Sequence, residues 1–289
     1  MRICILIPDH ADLTRYDDWR DQAAQIEPVL AREAIAVEWR AWTDKRPLDF
    51  DMVLPLMAWG YHRNIALWYA QLDRWDGVRF MNPLPVLRWN TDKRYLLELQ
   101  AAGIAIVPTR WHAALEDEHL AAARAGFGTA DLVIKPPVSA GSDSTWLLRD
   151  GAPCPADALG TSMLVQPLMR CIASEGELSL FYLAGQLAHA IIKRPADGDF
   201  RVQGQFGGRS AAIDPPTAAV KLAEATLAGV GHDVLYARID MVGDGQRGYA
   251  LMEIELIEPW LSLDRSADGG VAFATAIAAQ RLPPVSIPG

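Results

Sequence analysis

Three carboxylates near the C-terminal end of the sequence are spaced so that they can converge on one point. Asp240 lies in the stretch YARIDM, and Glu253 and Glu255 lie in YALMEIELIEP, after the Gly-rich segment GDGQRG. Both stretches carry bulky apolar residues and predict β-strands. Because side chains alternate between the faces of a strand, Glu253 and Glu255 point the same way. A hairpin centred between Gln246 and Arg247 places Asp240 directly opposite Glu253.

This acidic hairpin has a chemical interpretation and a structural one. Cross-strand neighbours have β-carbons roughly 5 Å apart, so like charges repel there unless a cation lies between them. Hard oxygen ligands on a rigid sheet suit Mg2+, which is usually shared with a substrate phosphate. A solvated outer sheet face would carry the same residues. The spacing alone leaves both interpretations open.

Two lysines and a small-residue loop are candidates for contacts with an anion. Lys135 ends the predicted strand DLVIK, and the loop PPVSAGSDST follows with the hydroxyls of Ser139 and Ser142. Such a loop can hold a phosphate through its backbone N–H groups and hydroxyls, although the P-loop pattern GxxxxGK[ST] is absent. Lys93 falls in the first turn of the helix predicted over TDKRYLLELQAAG, where the helix dipole disfavours a cation. Taken alone, each is more simply a surface lysine.

Two further segments offer polar groups to a ligand. In LVQPLM, Pro167 removes one backbone donor and leaves the Gln166 side chain and the Met169 amide available. In DFRVQGQFGGR, Arg201 and the amides of Gly207–Gly208 can stabilise negative charge that develops on a phosphoryl or acyl oxygen. An ordinary turn and a mobile glycine loop fit the same spacings.

The elements that must position these residues fall into two regions. Strands are predicted at residues 2–7, near 37, at 52–56 and at 78–81, and helices at 16–33 and 62–75. This alternation is typical of a small parallel α/β unit. The segment NPLPVLRW predicts a rigid connector, which sets a boundary near residue 88, and a helix capped by Asn90 or Thr91 follows it. From Asp131 onward strands dominate, so the second region is predicted to be mostly antiparallel sheet.

The bulk composition excludes several classes of protein. The chain has 289 residues and a formal net charge of -9, which argues against non-specific nucleic-acid binding. Its three cysteines have neither metal-ligand spacing nor the even count of a disulfide framework. The start MRICILIPDH is too short for a signal peptide, and no apolar run approaches the roughly 20 residues that span a bilayer. We therefore expect a soluble, cytoplasmic protein without nucleic-acid or membrane partners.

In their order along the chain, these segments resemble the ATP-grasp superfamily, most closely its glutathione-synthetase-like and D-alanine–D-alanine-ligase-like branches. The resemblance covers residues from about 82 to 264. It implies that Lys93 and Lys135 contact ATP and that a loop with Ser139 and Ser142 covers the phosphates. It implies an adenine hinge at Gln166, Pro167, Leu168 and Met169 and a ribose contact at Glu175 or Glu177. It implies that the Mg2+ ligands are Asp240, Glu253 and Glu255. It also implies that Lys193, Arg201 and Gly208 act near the reacting centre.

The chain departs from the usual pattern of these branches. Glu255 stands where Asn is usual, which adds a negative charge to the site, and Gln203 also replaces an Asn. The tail ELIEPWLSLD lacks the N-x-x-PG run of the D-alanine ligases. It is more similar to the D-cycloserine synthetase-like branch.

The resemblance implies an α+β chain with the ATP-grasp fold. A parallel α/β domain is expected at 1–88 and an ATP-grasp domain at 89–289, whose lid subdomain (89–165) and C-terminal subdomain (166–289) are antiparallel and sandwich ATP. The implied reaction uses ATP and Mg2+ to activate a carboxylate or related carbonyl as an acyl phosphate, which an amine attacks. Two Mg2+ ions are expected, with Mn2+ as an alternative.

Three functions fit this pattern. The first is an intermolecular amide-bond-forming ligase that acts on a small amino-acid-like substrate. The second is an intramolecular cyclase of the D-cycloserine synthetase type. The third is a non-catalytic ATP-binding protein, against which the retained Lys93, Lys135, Asp240 and Glu253 argue.

The substrate site is the least constrained part of the prediction. Asp9 and His10 follow the first strand, and His62 and Arg63 follow the third, where α/β units place ligands. Ordinary loop residues would look the same at all four positions. A homodimer is compatible with the sequence.

Overall fold

The computed structural model describes residues 1–246 and 248–281, which form one parallel and two antiparallel sheets with helices packed against them. The strands are β1 (Arg2–Ile7), β2 (Ala36–Ala41), β3 (Met52–Leu54), β4 (Arg110–His112), β5 (Leu132–Lys135), β6 (Trp146–Leu148), β7 (Met163–Pro167), β8 (Glu177–Leu183), β9 (Gln186–Arg194), β10 (Arg209–Ala212), β11 (Tyr236–Gly243) and β12 (Tyr249–Glu255). The helices are α1 (Trp19–Arg32), α2 (Ile65–Arg74), α3 (Leu84–Asn90), α4 (Tyr95–Ala101), α5 (Asp117–Phe127), α6 (Cys171–Ser174), α7 (Thr217–Val230) and α8 (Val271–Ala278).

The first sheet is parallel and has the strand order β2-β1-β3. Every residue of Ile3–Ile7 in the central strand is buried, as the apolar run predicts for a strand covered on both faces. α1 connects β1 to β2 and packs Ile26 into the core beneath the sheet. The strand predicted at 78–81 is reduced to a single parallel bridge between Val53 and Phe80.

The proline-containing segment that was predicted as a connector is a helix, α3. Pro83 is its N-cap and Pro85 lies in its first turn, where a missing N–H removes no helical hydrogen bond. Asn90 does not cap the next helix; it ends α3, and its buried side chain donates to the backbone of β12 at 2.8 Å. Because α4 begins at Tyr95, Lys93 lies in the turn between two helices rather than in a first helical turn. The boundary predicted near residue 88 falls inside α3.

The remaining strands form two antiparallel sheets, of order β4-β7-β5-β6 and β10-β9-β8-β11-β12. β11 and β12 form the acidic hairpin, and Asp240 pairs with Glu253, which confirms the predicted register at this point. An irregularity follows, so that Met241 pairs with Leu251. The predicted centre of the hairpin includes Arg247, which lies outside the described residues.

The N-terminal unit shares its core with the C-terminal part of the chain. Phe273 and Ile277 of α8 belong to the same buried cluster as the residues of β1 and α1. Asn82 is fully buried, and its side chain donates to the Leu256 carbonyl at 2.8 Å and accepts from the Leu235 amide at 2.6 Å. Residues 1–88 are therefore not packed as an independent body, and the domain limits stay predictions.

No helix among the described residues is long and apolar enough to cross a membrane. The predicted homodimer and cytoplasmic location stay predictions.

Candidate active site

A cavity of about 570 Å3 is lined by residues of both antiparallel sheets and of the N-terminal unit. This volume is within the range of roughly 300–1,000 Å3 that is typical of small-molecule sites. Two groups of side chains line it. The charged cluster consists of Lys93, Lys135, Glu177, Lys193, Arg238, Asp240, Glu253 and Glu255, and the aromatic cluster consists of Tyr16, Trp59, Tyr61, Trp260 and the carboxylate of Glu258.

Asp240 lies at the centre of an ion-pair network on neighbouring strands. Its carboxylate accepts from Arg238 Nη2 at 2.9 Å, from Lys193 Nζ at 3.2 Å and from the Ser179 hydroxyl. Lys193 also lies 2.6 Å from Glu177, its cross-strand partner. Burial opposes ionisation of Asp240, yet Arg238 and Lys193 hold the pKa of this carboxyl well below its ordinary range.

Glu253 and Glu255 extend from β12 into the same cavity. Lys93 Nζ lies 3.0 Å from Glu253, and Arg238 contacts Glu255 as well as Asp240. Burial raises the pKa of Glu255 to about 7, and the charge of Glu253 adds to this effect against the opposing pull of Arg238. The negative charge on β12 is therefore incompletely compensated by the protein itself.

The predicted Mg2+ ligands fit that ion by their chemistry, although they do not form a ready-made ligand set. Their donors are carboxylate oxygens, which Mg2+ prefers, and added positive charge would stabilise the ionised form of Glu255. Across residues 1–246 and 248–281, no group of three or more His, Cys, Asp or Glu is arranged to hold a metal ion. Asp240 and Glu255 instead contact Arg238, and Glu253 contacts Lys93. A shared ion requires these pairs to rearrange.

Lys93 contacts the loop that follows β5, and Lys135 is the residue from which that loop begins. The backbone N–H of Lys93 donates to the Pro137 carbonyl at 2.8 Å, and its ammonium donates to the Ser139 carbonyl. Lys135 is buried, and burial lowers the pKa of its ammonium. In the part of the chain that the structure describes, Lys135 forms no ion pair, in contrast to Lys93 and Lys193. A buried cation without a partner favours the binding of an anion.

The predicted adenine hinge lines the cavity with all of its residues, Gln166, Pro167, Leu168 and Met169. The Gln166 side chain donates to the Thr109 hydroxyl at 2.8 Å, and the Leu168 amide donates to the Asp131 carbonyl at 3.1 Å. The Met169 amide has no acceptor among the described residues. The Met169 amide is therefore available to donate a hydrogen bond to a ligand.

The two candidates for a ribose contact are separated by the structure. Glu177 is buried and lines the cavity, where it pairs with Lys193. Glu175 is exposed, lies against Gly243 and does not line the cavity.

The loop before β10 uses its polar groups internally. Arg201 lines the cavity, but its guanidinium lies 2.8 Å from Asp199 and 3.5 Å from the centroid of the Phe206 ring. The amides of Gly207 and Gly208, predicted to face developing charge, donate within the loop at 2.9 and 3.2 Å. Gly208 is required for a steric reason, because a β-carbon there would collide with the carbonyl of Val202.

Of the four predicted substrate residues, His62 is the one that lines the main cavity. His62 and Arg63 lie 3.3 and 3.2 Å from Asp143, in the loop after β5, and so connect the N-terminal unit to that loop. Asp9 is held by hydrogen bonds in the turn after β1, and His10 is exposed. Neither lines the cavity, so the structure does not bring them to the site.

Arg238, Tyr16 and Trp260 line the cavity but were not predicted. Arg238 stands two residues before Asp240 in β11, and strand alternation places both on one face, so the sequence did contain this signal. Trp59 and Trp260 stack with ring centroids 6.0 Å apart, although they are distant in sequence. No local spacing indicates that contact.

The sequence matches no protein-family profile, whereas solved structures show the fold. The chain is similar to D-alanine–D-alanine ligase from Bacillus anthracis, with a TM-score of 0.66, 15% identity and coverage of 97% of this chain and 96% of that chain. An ATP-grasp RimK domain protein from Sphaerobacter thermophilus gives a TM-score of 0.65 at 19% identity, with 98% and 100% of the two chains covered. The fold is therefore the predicted ATP-grasp fold, and the cavity described above belongs to a protein of that fold class.

A nearer relationship is found in sequence and in structure. The chain is 31% identical over 259 residues to the cycloserine biosynthesis protein DcsG of Streptomyces lavendulae, covering 81% of this chain and 84% of that protein. The crystal structure of D-cycloserine synthetase DcsG gives a TM-score of 0.84 at 26% identity, with 97% and 99% of the two chains covered. The chain belongs to the DcsG family of ATP-grasp enzymes. It is an ATP-dependent, ADP-forming carbon–nitrogen ligase of a class that uses ATP and Mg2+.

Proposed function

We propose that the protein closes a ring within one small amino-acid-like substrate. ATP phosphorylates a carboxylate or related carbonyl oxygen and leaves as ADP; a nitrogen of the same molecule attacks the activated carbon, and phosphate departs with its bonding electron pair. The observation that carries this choice is the TM-score of 0.84 to a D-cycloserine synthetase, against 0.66 to a D-alanine–D-alanine ligase. It favours the intramolecular reaction over the intermolecular ligation that the sequence also allowed.

The nucleotide occupies the charged part of the cavity in this proposal. Lys135, buried without an ion-pair partner among the described residues, binds phosphate oxygens together with Lys93. Ser139 and Ser142 lie in the loop that covers the phosphates, and both line the cavity. The hinge residues Gln166–Met169 receive adenine, and Glu177, rather than the exposed Glu175, contacts the ribose.

Asp240, Glu253 and Glu255 hold the magnesium in this proposal. The raised pKa of Glu255 supports it, because burial and neighbouring carboxylates leave a demand for positive charge. When bound, Mg2+ neutralises and orients the phosphates. Two ions, with Mn2+ as a substitute, are part of the proposal.

Arg238 and Lys193 stabilise the charge that develops during phosphoryl and acyl transfer. Both are cationic side chains that line the cavity and are already oriented by Asp240. Arg201 would have to exchange Asp199 for the substrate, and Gly208 acts by letting its loop pack closely. The loop after β5 excludes water from the acyl phosphate. Formation of the acyl phosphate requires no nucleophilic side chain, because positioning of the reactants is sufficient.

A screen for ADP release tests the proposal. Small D- and L-amino acids and their ureido and aminooxy derivatives are supplied singly and in pairs with ATP and Mg2+, and products are identified by mass spectrometry. We expect one compound alone to release ADP and to yield a cyclic product. A requirement for two compounds would show an intermolecular ligase. Binding of Mg2+–ATP without stimulated ADP release by any compound would indicate a non-catalytic ATP-binding protein.

A further inference from the structure

The aromatic cluster surrounds one carboxylate that the reaction described above does not use. Trp59 and Trp260 stack with an interplanar angle of 20°, and Tyr16 lies against Trp59 with ring centroids 6.4 Å apart. Glu258 follows β12 and lines the cavity beside these rings. The result is a carboxylate at an aromatic wall rather than at a solvated surface.

The backbone of Glu258 is held in place by the aromatic cluster. The indole N–H of Trp59 donates to the Glu258 carbonyl at 3.0 Å. Tyr61 is buried and lines the same cavity as the Glu258 side chain. Neither Trp59 nor Tyr61 contributes positive charge to the carboxylate.

Glu258 therefore differs from the carboxylates of the charged cluster, each of which has a basic partner. Among residues 1–246 and 248–281, no lysine, arginine or histidine forms an ion pair with Glu258. Burial, reinforced by the charge of Glu255 and opposed by that of Lys93, raises the pKa of Glu258 to about 8. A half-buried carboxylate without an ion-pair partner is stabilised by a cation that arrives with a ligand.

Asp18 is the other carboxylate that lines the cavity without an ion pair among the described residues, and it provides a contrast. Asp18 is exposed to solvent, so water hydrates its charge and no ligand cation is needed. Glu258 is half-buried, and its backbone carbonyl is bonded to Trp59, which stacks on Trp260. The demand for a cation is concentrated at Glu258.

We propose that Glu258 binds a free ammonium group of the substrate, and that the ring faces of Trp59 and Trp260 complete this ammonium site. The inference rests on the proposed function insofar as it takes the cavity to hold an amino-acid-like substrate. A charge-assisted hydrogen bond to the carboxylate and cation–π attraction to indole both act on an ammonium ion. The site selects substrates with an unblocked amino group.

The charge of this group also restricts the chemistry. An ammonium ion held by a carboxylate has no lone pair and cannot attack an acyl phosphate. The attacking nitrogen must therefore be a different, neutral one.

Calorimetric titration of the Mg2+–ADP-loaded enzyme tests the site without requiring turnover. The probes are D-serine, L-serine and D-cycloserine, each compared with its N-acetyl derivative. A charge-assisted hydrogen bond corresponds to roughly 10- to 100-fold in affinity, so we expect at least one amine to bind wild type that much more tightly than its N-acetyl form. In Glu258→Gln the ratio falls to about 2 or less. Asp18→Asn and the surface variant Glu224→Gln retain the wild-type ratio.

Each result has a defined meaning for the proposal. Equal binding of all amines and their N-acetyl forms by wild type, an unchanged ratio in Glu258→Gln, or loss of the ratio in Asp18→Asn would overturn it. Mg2+–ADP affinity reports folding of the variants. If Glu258→Gln fails to bind nucleotide, Glu258→Ala serves instead, and an unchanged ratio there also overturns the proposal. Failure of the ring-closing function appears separately, in the ADP-release screen.

Discussion

The charged cluster and the aromatic cluster line the same cavity but are assembled in different ways. The carboxylates and their partners lie mainly on β8, β9, β11 and β12, which are consecutive neighbours in one sheet. Tyr16, Trp59 and Tyr61 come from loops of the N-terminal unit, and Trp260 comes from the segment after β12. Strand register positions the first group, whereas packing between distant parts of the chain positions the second.

This difference determines what each cluster contributes before a ligand binds. In the charged cluster most ionic groups already have protein partners, so ligand binding must exchange one ion pair for another. Lys193, for example, bridges Glu177 and Asp240. In the aromatic cluster, Glu258 has no charged partner among the described residues. The first cluster is thus balanced internally, and the second is completed by its ligand.

Removing the unpaired cation of the charged cluster tests this contrast with the largest expected effect. We expect Lys135→Ala to reduce ADP release by about 10³-fold, because one positioned charge on a transferring group contributes on this order. The variant should remain folded, because it removes an ammonium group whose charged form is already disfavoured by burial. Steady-state ADP release and thermal unfolding provide the two measurements. Lys221→Ala, at an exposed position on α7, is the matched control. Undiminished activity in Lys135→Ala would contradict the phosphate site.

The sequence was sufficient where local geometry decides position. Asp240 and Glu253 pair as predicted because the alternation of a strand and the length of its turn fix register. The same alternation places Arg238 on the face of β11 that carries Asp240, although Arg238 was not predicted. Lys135 was located because it ends a strand that pairs on both sides.

Prediction failed where a residue's environment comes from elsewhere in the chain. The prolines of α3 suggested a connector, yet Pro83 and Pro85 occupy positions where a helix tolerates them. Gly208 was assigned a chemical role from its amide, but contact with Val202 accounts for the glycine. The partners of Trp59 depend on a fold-wide arrangement that no spacing encodes.

The pH dependence of stability tests the charge state of the aromatic cluster. The folded-state pKa of Glu258, about 8, lies above its ordinary value of 4.5, so the folded ligand-free protein binds the proton more tightly than the unfolded chain does. Stability from this group is present at low pH and is lost as pH rises from about 4.5 to 8, by up to about 1.4 kcal/mol per pH unit. Denaturant unfolding between pH 5 and 8 should show this slope, and Glu258→Gln should make it shallower. The exposed-site variant Glu224→Gln should leave the slope unchanged, and an equal slope in Glu258→Gln would refute the assignment.

The smallest expected effect concerns the contact through which the N-terminal unit reaches the loop after β5. Arg63 and Asp143 are 40% and 43% exposed, so their pair contributes about 0.2–1 kcal/mol. Asp143→Ala should therefore raise the population of the open loop by a factor of up to about 5. Because water enters the open site, ATP hydrolysis in the absence of substrate should rise by the same factor. The ratio of ADP release without and with substrate measures this. Asp157→Ala, at an exposed position outside the cavity, should leave the ratio at its wild-type value. An unchanged ratio in Asp143→Ala would contradict a role of this ion pair in keeping the loop after β5 closed.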